Sequence, residues 1–201
     1  MSTEGITIRT LTGRAMQPYL PDLARLRIAV FRDFPYLYDG TVEYEEKYLQ
    51  TYLETSESII VLALEGEKVI GASTGLPLDC EIDDFIKPVA ANGYDPSRVF
   101  YCGESVLLKP YRGRGLYKFF FQGREDHARA LGRFEYTAFC GVQRPIDHPL
   151  SPPDYEPLDP IWEKFGYVKQ PHLIARYVWK DVDKDSETAK PMVFWMKKIV
   201  R

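Results

Sequence analysis

One stretch of the sequence decides the fold: Val106-Leu107-Leu108-Lys109-Pro110-Tyr111-Arg112-Gly113-Arg114-Gly115-Leu116-Tyr117-Lys118. An apolar run ends at a proline, a glycine-rich turn follows, and a helical pattern begins directly after it. The N–H groups at the start of a helix lack partners and carry partial positive charge, so such a turn favours a phosphate. Two glycines permit unusual backbone angles, and three side chains add positive charge: Arg112, Arg114 and Lys118.

The turn differs from two common nucleotide-binding loops. It contains no Gly-x-x-x-x-Gly-Lys-Ser/Thr, and Lys118 stands where the third glycine of Gly-x-Gly-x-x-Gly would be. The run Arg112-Gly113-Arg114-Gly115-Leu116-Tyr117 instead resembles the acyl-CoA loop of the GCN5-related N-acetyltransferases (GNAT), Arg/Gln-x-x-Gly-x-Gly/Ala, with Tyr117 in place of the small last residue. A second run, Trp162-Glu163-Lys164-Phe165-Gly166-Tyr167, is similar to the aromatic-Glu-Lys-Leu-Gly-Phe ending of that family's last helix.

Composition narrows the class of protein. The chain has 201 residues, enough for a single domain over residues 1–201 with a sizeable core. Its net charge of -3 predicts no affinity for nucleic acid or for an anionic membrane surface. The cysteines Cys80, Cys102 and Cys140 form no Cys-x-x-Cys pair, so we expect neither a metal site nor a disulfide framework. The first residues lack the basic and apolar parts of a signal peptide, so we expect a cytoplasmic protein.

Hydrophobic periodicity predicts alternating strands and helices. The order is a strand, two helices, a hairpin, a central strand, a helix, a strand, a short helix and a final hairpin. The predicted strands are 6–11, the hairpin of 58–64 with 69–75, the central strand 98–108, 134–142, and the hairpin of 173–179 with 191–196. The predicted helices are 17–31, one that begins at 41, 115–131 and 158–165. The same order is found in the acetyltransferases, so the resemblance extends over nearly the whole chain.

The central strand carries one unexpected residue, Glu104. If side chains alternate strictly, Glu104 shares a face with Cys102, Val106 and Leu108. A carboxylate among apolar neighbours needs a partner, or its pKa rises. A pKa closer to neutrality suits a general base, which makes Glu104 the candidate catalytic residue.

Three other stretches allow both a structural and a functional interpretation. The aromatic turn at residues 31–40 holds Phe34, Tyr36 and Tyr38, which could pack on the core or form the wall of an acceptor site. The proline-rich segment at residues 145–160 holds His148 and could be a rigid connector or part of the same wall. The acidic stretch at residues 79–86 could be a solvated face or could steer a cationic amine.

The resemblance implies a fold, a cofactor and a reaction. The family's α/β fold is a mixed, mostly antiparallel sheet with helices on both faces, which splays open between its fourth and fifth strands. Acetyl-CoA would lie in that gap as co-substrate, and no metal would be needed. The acceptor would be the amine of a small molecule or a peptide, with neither nucleic acid nor membrane as partner, and a homodimer is one option for the assembly.

The resemblance also assigns roles to residues. The backbone of Val106, Leu107 and Leu108 would pair with the pantetheine arm, and the N–H of Leu107 or Leu108 would stabilise the oxyanion. Many relatives protonate the leaving thiolate with a tyrosine at the place where this chain has Trp162, so either another group such as Tyr155 serves as the acid or the thiolate leaves unassisted. The pyrophosphate would be held by the turn residues Arg112, Gly113, Arg114, Gly115, Leu116, Tyr117 and Lys118.

Two other functions remain open from the sequence. The first is an acyl-CoA-binding domain without catalysis, acting as a sensor or an interaction module, which Trp162 and Tyr117 would favour. The second is a general phosphate- or nucleotide-binding α/β domain, which predicts ATP binding and no affinity for CoA. Turnover of acetyl-CoA with a panel of amines distinguishes the enzyme from both.

Overall fold

A computed structural model of the protein describes residues 5–199 of the 201-residue chain. The first residues, whose sequence predicts no signal peptide, lie largely outside this range. The strands are β1 (Ile6–Leu11), β2 (Ile59–Glu65), β3 (Lys68–Pro77), β4 (Val99–Tyr101), β5 (Ser105–Leu107), β6 (Tyr136–Val142), β7 (Val168–Lys180) and β8 (Glu187–Lys198). The helices are α1 (Leu20–Phe31), α2 (Val42–Glu54), α3 (Asp83–Ala91), α4 (Tyr117–Leu131) and α5 (Asp159–Lys164).

The helices begin where local signals in the sequence place them. The Thr41 side chain accepts a hydrogen bond from the N–H of Tyr44 at 3.3 Å, which caps α2 as predicted. Gly132 adopts a left-handed backbone with φ of 73° and ends α4. The predicted helix at residues 17–31 is shorter at its start, because residues 13–19 form a 3-10 turn and Pro21 lies at the beginning of α1.

The strands form one mixed sheet with the order β1-β2-β3-β4-β6-β8-β7, and β5 continues alongside β3. All pairs are antiparallel except β4 with β6. One core cluster lies on the face covered by α1, α2 and α3, and a second lies beneath α4, with Trp162 of α5 at its edge. The mixed, mostly antiparallel sheet with helices on both faces is confirmed.

The sheet splays open in its middle. β4 pairs with both β3 and β6, and the N–H of Cys102 still donates to the carbonyl of Ala138 at 2.7 Å. Beyond that bond, and among the strands of residues 5–199, β5 pairs only with β3 and the rest of β6 pairs only with β8. If β4 and β5 are counted as one strand, the opening lies between the fourth and fifth strands, as the resemblance implies.

The prediction of one uninterrupted central strand at residues 98–108 is wrong, because the strand bulges between β4 and β5. Leu76 pairs with Tyr101 and Ser73 pairs with Ser105. Residues 101–105 of the central strand therefore lie opposite residues 73–76 of β3, and the central strand has one residue more. An extra residue of this kind reverses the alternation of side chains. Cys102 therefore packs beneath α4 whereas Val106 packs on the other face.

Candidate active site

A cavity of about 870 Å³ fills the opening of the sheet, and we call it the splay cavity. Residues 102–105 form one wall, and residues 139–148 of β6 and the following loop form the other. α4 contributes Tyr117, Phe121 and Arg124, and the proline-rich segment closes the outer side. Pockets for small molecules and cofactors have volumes of roughly 300–1,000 Å³, so the splay cavity can hold a ligand of that size.

The backbone of β5 alternates between β3 and the splay cavity. The N–H of Thr74 donates to the carbonyl of Glu104 at 3.2 Å, and the N–H of Leu108 donates to the carbonyl of Ile70 at 3.0 Å. Backbone groups on an antiparallel strand point to its two sides in turn. Glu104, Val106 and Leu108 therefore direct their backbone groups towards β3.

Ser105 and Leu107 direct their backbone groups towards the open edge. The Leu107 carbonyl accepts a hydrogen bond from Arg112 Nε at 3.0 Å, which ties the glycine turn to the strand. The predictions for Val106 and Leu108 are corrected, because β3 already uses the backbone groups that would meet a pantetheine arm or an oxyanion. For Leu107 both roles stay predictions, since its backbone faces the open edge.

The glycine turn is open to an incoming ligand. Gly113 and Gly115 have φ of 74° and 76°, and a Cβ added at either would meet nothing within 4 Å. The Tyr117 ring therefore does not cover this side of the turn. Among the backbone hydrogen bonds between residues 5–199, none uses an N–H of residues 113–116 as donor. Consecutive unpaired N–H groups of this kind suit a phosphate.

Positive side chains surround the turn. Lys109 Nζ lies 2.9 Å and Arg112 Nη2 lies 3.8 Å from the carboxylate of Asp33. Arg114 stacks its guanidinium 5.2 Å from the Tyr111 ring, and Lys118 lies near Phe119. Neither Arg114 nor Lys118 forms an ion pair within the described part of the chain, so both can pair with an anion. Buried Leu116 belongs to the core beneath α4.

Tyr117 places its side chain in the splay cavity. Its ring lies 5.4 Å from that of Phe121, and Ser105 and Trp162 line the same cavity. Burial raises the pKa of Tyr117, and the Arg124 guanidinium opposes part of that rise. The structure thus places the hydroxyl of Tyr117, which can donate a proton, in the same cavity as Trp162, which has no phenolic proton.

Arg124 is a buried cation beside Tyr117. It is 2% exposed and forms no ion pair with any residue in the range 5–199. Its Nη1 donates to the Glu104 carbonyl at 2.8 Å, and its Nε has no partner among the described residues. A buried guanidinium with no carboxylate in contact stabilises negative charge that develops nearby.

Glu104 belongs to a buried cluster on the opposite side of the strand. Its Oε2 accepts a hydrogen bond from Arg27 Nη1, and Arg27 Nε donates to Oε2 of Glu45. Within the described residues, Oε1 of Glu104 and Oε1 of Glu45 have no hydrogen-bond partner. Burial raises the pKa of Glu104, and Arg27 opposes that rise. Glu104 also lines the splay cavity, and its carboxylate is fully buried directly behind that wall.

A smaller cavity of about 70 Å³ adjoins the splay cavity, and we call it the aromatic box. The two cavities share Phe31, Tyr36 and Gly103. The hydroxyl groups of Tyr44 and Tyr177 are hydrogen-bonded to each other at the wall of the box. Its full lining is Arg27, Phe31, Tyr36, Tyr38, Tyr44, Tyr48, Phe85, Tyr101, Gly103, Tyr177, Trp179 and Met192.

The structure brings together the residues predicted to form the acceptor site. Phe34, Tyr36 and His148 line the splay cavity, and Tyr36 and Tyr38 line the aromatic box. The Phe34 ring lies 4.6 Å from that of Tyr155 and 5.6 Å from that of His148, so the aromatic turn and the proline-rich segment meet.

A buried ion pair fixes the aromatic turn to the end of β6 and to the residue that follows β7. Arg144 pairs with Asp181 through two bonds of 2.8 and 2.9 Å. The same guanidinium donates to the carbonyls of Pro35 at 2.8 Å and Tyr36 at 2.6 Å. The Trp179 indole also donates to the Tyr36 carbonyl at 3.0 Å. The aromatic turn is therefore held rigidly against the wall of both cavities.

The sequence interpretation missed Arg27 and Arg124, although the sequence contains a signal for both. Arg27 follows Leu20 and Leu23 at helical spacing, and Arg124 follows Phe120 by four residues. Each arginine therefore stands on the apolar stripe of its helix. Burying a charged side chain costs free energy unless it has partners. A charge on an apolar stripe therefore marks both positions as candidates for function.

Glu81 is a third missed residue, and it is the one carboxylate of residues 79–86 that departs from a solvated face. Asp83 and Asp84 are exposed as that interpretation requires, but Glu81 is half-buried. Burial raises the pKa of Glu81 to about 7, and the Glu104 carboxylate adds to the rise. The Ile82 N–H and Arg27 oppose it.

The raised pKa of Glu81 predicts a pH-dependent stability. The folded protein holds this proton more tightly than the unfolded chain, whose glutamates titrate near 4.5. The stabilising effect is complete below that value and is lost as the pH rises through about 7. We therefore expect the melting temperature of Glu81→Gln, compared with that of the wild type at the same pH, to increase as the pH rises from about 5 to 8. Exposed Glu46→Gln is the control, and parallel curves for Glu81→Gln and wild type would contradict the expectation.

Two further properties concern metals and membranes. Within residues 5–199, no group of three or more His, Cys, Asp or Glu side chains is placed to hold a metal ion. The helices of the same range all fall short of the length and apolar character that crossing a bilayer requires.

The sheet is mixed and open, and it parts around a cavity, which is the architecture of the GNAT acetyltransferases. No protein-family model matches the sequence, and no curated protein matches it. Solved structures do match. An acetyltransferase of the GNAT family from Streptococcus pneumoniae is 14% identical with a TM-score of 0.57, covering 97% of this chain and 99% of its own.

Two other solved structures extend the likeness. One is yncA of Salmonella typhimurium, which is described as an acetyltransferase and was solved with its cofactor acetyl-CoA. It is 10% identical with a TM-score of 0.62, and the match covers 98% of this chain and 96% of that chain. Ribosomal-protein-alanine N-acetyltransferase from Brucella melitensis is 11% identical with a TM-score of 0.61, over 96% of this chain and 99% of its own. At these identities the likeness establishes the fold, which is that of the GNAT acetyltransferases.

Proposed function

We propose that this protein is a GNAT-family N-acetyltransferase that moves an acetyl group from acetyl-CoA to the amine of a small molecule or a peptide. One observation carries the proposal: the open edge of β5 and the unpaired N–H groups of the glycine turn lie at the same opening of the sheet. A structural neighbour with this fold binds acetyl-CoA, which fits the same interpretation.

The residues present fit acetyl-CoA from its phosphates to its thioester. Residues 113–116 offer N–H groups for the pyrophosphate, and Arg114 and Lys118 add charge to that contact. The open edge at Ser105 and Leu107 offers hydrogen bonds to the amides of the pantetheine arm. The splay cavity behind that edge has room for the acetyl group and the acceptor.

The side chains supply the proton transfers of acyl transfer. Glu104 accepts a proton from the ammonium group, directly or through a water, so that the amine nitrogen can bond to the thioester carbon. The Leu107 N–H and the Arg124 guanidinium stabilise the oxyanion. Tyr117 donates its proton to the sulfur as the carbon–sulfur bond breaks, and it regains one from the nitrogen of the new amide. The products are the N-acetyl amine, CoA thiol and the proton on Glu104.

Calorimetry and a thiol-release assay test the proposal. We expect CoA to bind and ATP to bind far more weakly, because the glycine turn is followed by an edge suited to pantetheine. We also expect acetyl-CoA to release thiol when an acceptor amine is present. Binding without release for any amine would indicate an acyl-CoA-binding sensor, and an absence of heat with CoA would contradict both.

Tyr117→Phe tests the assignment of the acid. We expect kcat to fall by about 10- to 100-fold, because one proton transfer to the leaving group is lost. The Kd for CoA should stay unchanged, since the turn keeps its backbone groups. Tyr155→Phe is the comparison, because Tyr155 also lines the splay cavity. A loss of rate in Tyr155→Phe but not in Tyr117→Phe would assign the acid to Tyr155 instead.

A further inference from the structure

The charges beside Gly103 favour a cationic guest. Two buried carboxylates, Glu45 and Glu104, face the single guanidinium of Arg27. Each carboxylate keeps one oxygen without a hydrogen-bond partner among the described residues. When both are ionised, the cluster has one negative charge in excess, and an ammonium group in the adjoining cavity would supply the missing charge.

The aromatic box limits the body of that guest. Its volume is about 70 Å³. An apolar cavity that admits benzene has roughly 150 Å³, so the box is about half the size that an aryl group needs. On this scale the box has space for a slim chain of a few carbon atoms and not for a ring.

The box is also unsuited to a second positive charge. The Arg27 guanidinium already lies 4.2 Å from the Tyr48 ring centroid and 5.2 Å from that of Phe31. It thus occupies the cation position over these rings, and a further cation would be repelled. The part of the guest that enters the box is therefore uncharged and aliphatic.

From these three constraints we infer that the acceptor is a small primary alkylamine with no carboxylate on the carbon that bears the amine. Its ammonium group lies in the splay cavity beside Gly103, next to the wall behind which the Glu104 carboxylate is buried, and its unbranched chain extends past Gly103 into the aromatic box. The inference rests on the proposed function, because it names the acceptor of that reaction.

Three matched amines test the inference in the thiol-release assay with the full chain. Norleucine is pentylamine with one carboxylate added beside the amine, and phenethylamine replaces the slim chain by an aryl group. We expect kcat/KM for norleucine to be at least about 100-fold below that for pentylamine, since its carboxylate would face Glu104 without a counter-ion. We expect phenethylamine to be about 10- to 100-fold below pentylamine.

Binding without acetyl-CoA separates failure of the inference from failure of the proposed function. Trp179 lines the box, so its fluorescence should change with pentylamine and remain constant with norleucine. Equal or better turnover of norleucine or phenethylamine would overturn the inference and leave acetyl transfer intact. Absence of turnover with selective binding of pentylamine would refute the transferase, and with it the role of the amine as acceptor, while keeping the amine site. Absence of pentylamine binding would overturn the inference.

A variant of the box provides an independent test. Tyr44 lines the box, is 44% exposed, and lies on the surface of α2, so truncation there is compatible with folding. Tyr44→Ala widens the box, and we expect the preference for pentylamine over phenethylamine to fall by about 10-fold. Tyr19→Ala removes a ring outside both cavities and should keep the preference. An unchanged ratio in Tyr44→Ala would place the chain of the acceptor elsewhere.

Discussion

Glu104→Gln is expected to lower kcat by roughly 100- to 10,000-fold, because the amide cannot accept the proton that the ammonium group must lose. Glutamine keeps the shape of the side chain, and its carbonyl can still accept from Arg27. In the wild type, burial raises the pKa of Glu104, and only the ionised form acts as base. The wild-type kcat/KM should therefore rise with pH through that pKa, and this rise should be absent in the variant.

Glu125→Gln is the matched control for this experiment. Glu125 is also buried, but it pairs with Lys197 at 2.7 Å beneath the other face of the sheet and does not line either cavity. It should change stability and leave the rate and its pH profile intact. If Glu104→Gln keeps the wild-type rate across the pH range, Glu104 is not the base, and Glu81 becomes the next carboxylate to test.

The second large effect is expected from Arg27→Met, which leaves two buried carboxylates without their common partner. Removing one member of a buried ion pair costs about 3–5 kcal/mol of the free energy of unfolding. For a chain of this size, that corresponds to a melting temperature lower by about 6–20 °C. Arg27 is 8% exposed, so water cannot replace it without opening the contact between α1 and the sheet. Thermal unfolding by circular dichroism measures the change.

Two further variants establish the cause of this loss. Arg25→Met removes a neighbour on α1 that is 66% exposed and, among residues 5–199, pairs only with Asp22, so we expect a change within about 0.5 kcal/mol. Combining Arg27→Met with Glu45→Gln removes one of the unpaired charges and should recover part of the melting temperature. If the combined variant is no more stable than Arg27→Met, lost packing and not unpaired charge explains the effect.

The two sides of the central strand carry opposite charge. Glu104, Glu45 and half-buried Glu81 lie towards α1, α2 and the acceptor side. Arg124 and the cations of the glycine turn lie towards α4. An ammonium group thus approaches carboxylates, while the oxyanion and the thiolate form on the side of the guanidinium. This separation places each charge of the proposed reaction next to the group that stabilises it.

The sequence by itself predicted the elements that depend on near neighbours along the chain. The cap of α2 at Thr41 and the end of α4 at Gly132 are local signals, and the hairpin of β2 and β3 follows from its turn. The glycine turn was predictable for the same reason, since Gly113 and Gly115 each adopt a positive φ that few other residues tolerate. The opening of the sheet came from the resemblance, because no local signal marks where two strands part.

Only the tertiary structure decided which groups meet at the candidate site. The bulge before Ser105 reversed the alternation of side chains, so Glu104 faces α1 and not the side of Cys102. Its partner Arg27 is 77 residues away in sequence, and the Arg144 bond to the Pro35 carbonyl spans 109 residues. Periodicity reports only whether a side chain faces inwards. Which partner it finds there depends on how separate elements pack, and the free energy of burying charge then selects the arrangement in which opposite charges touch.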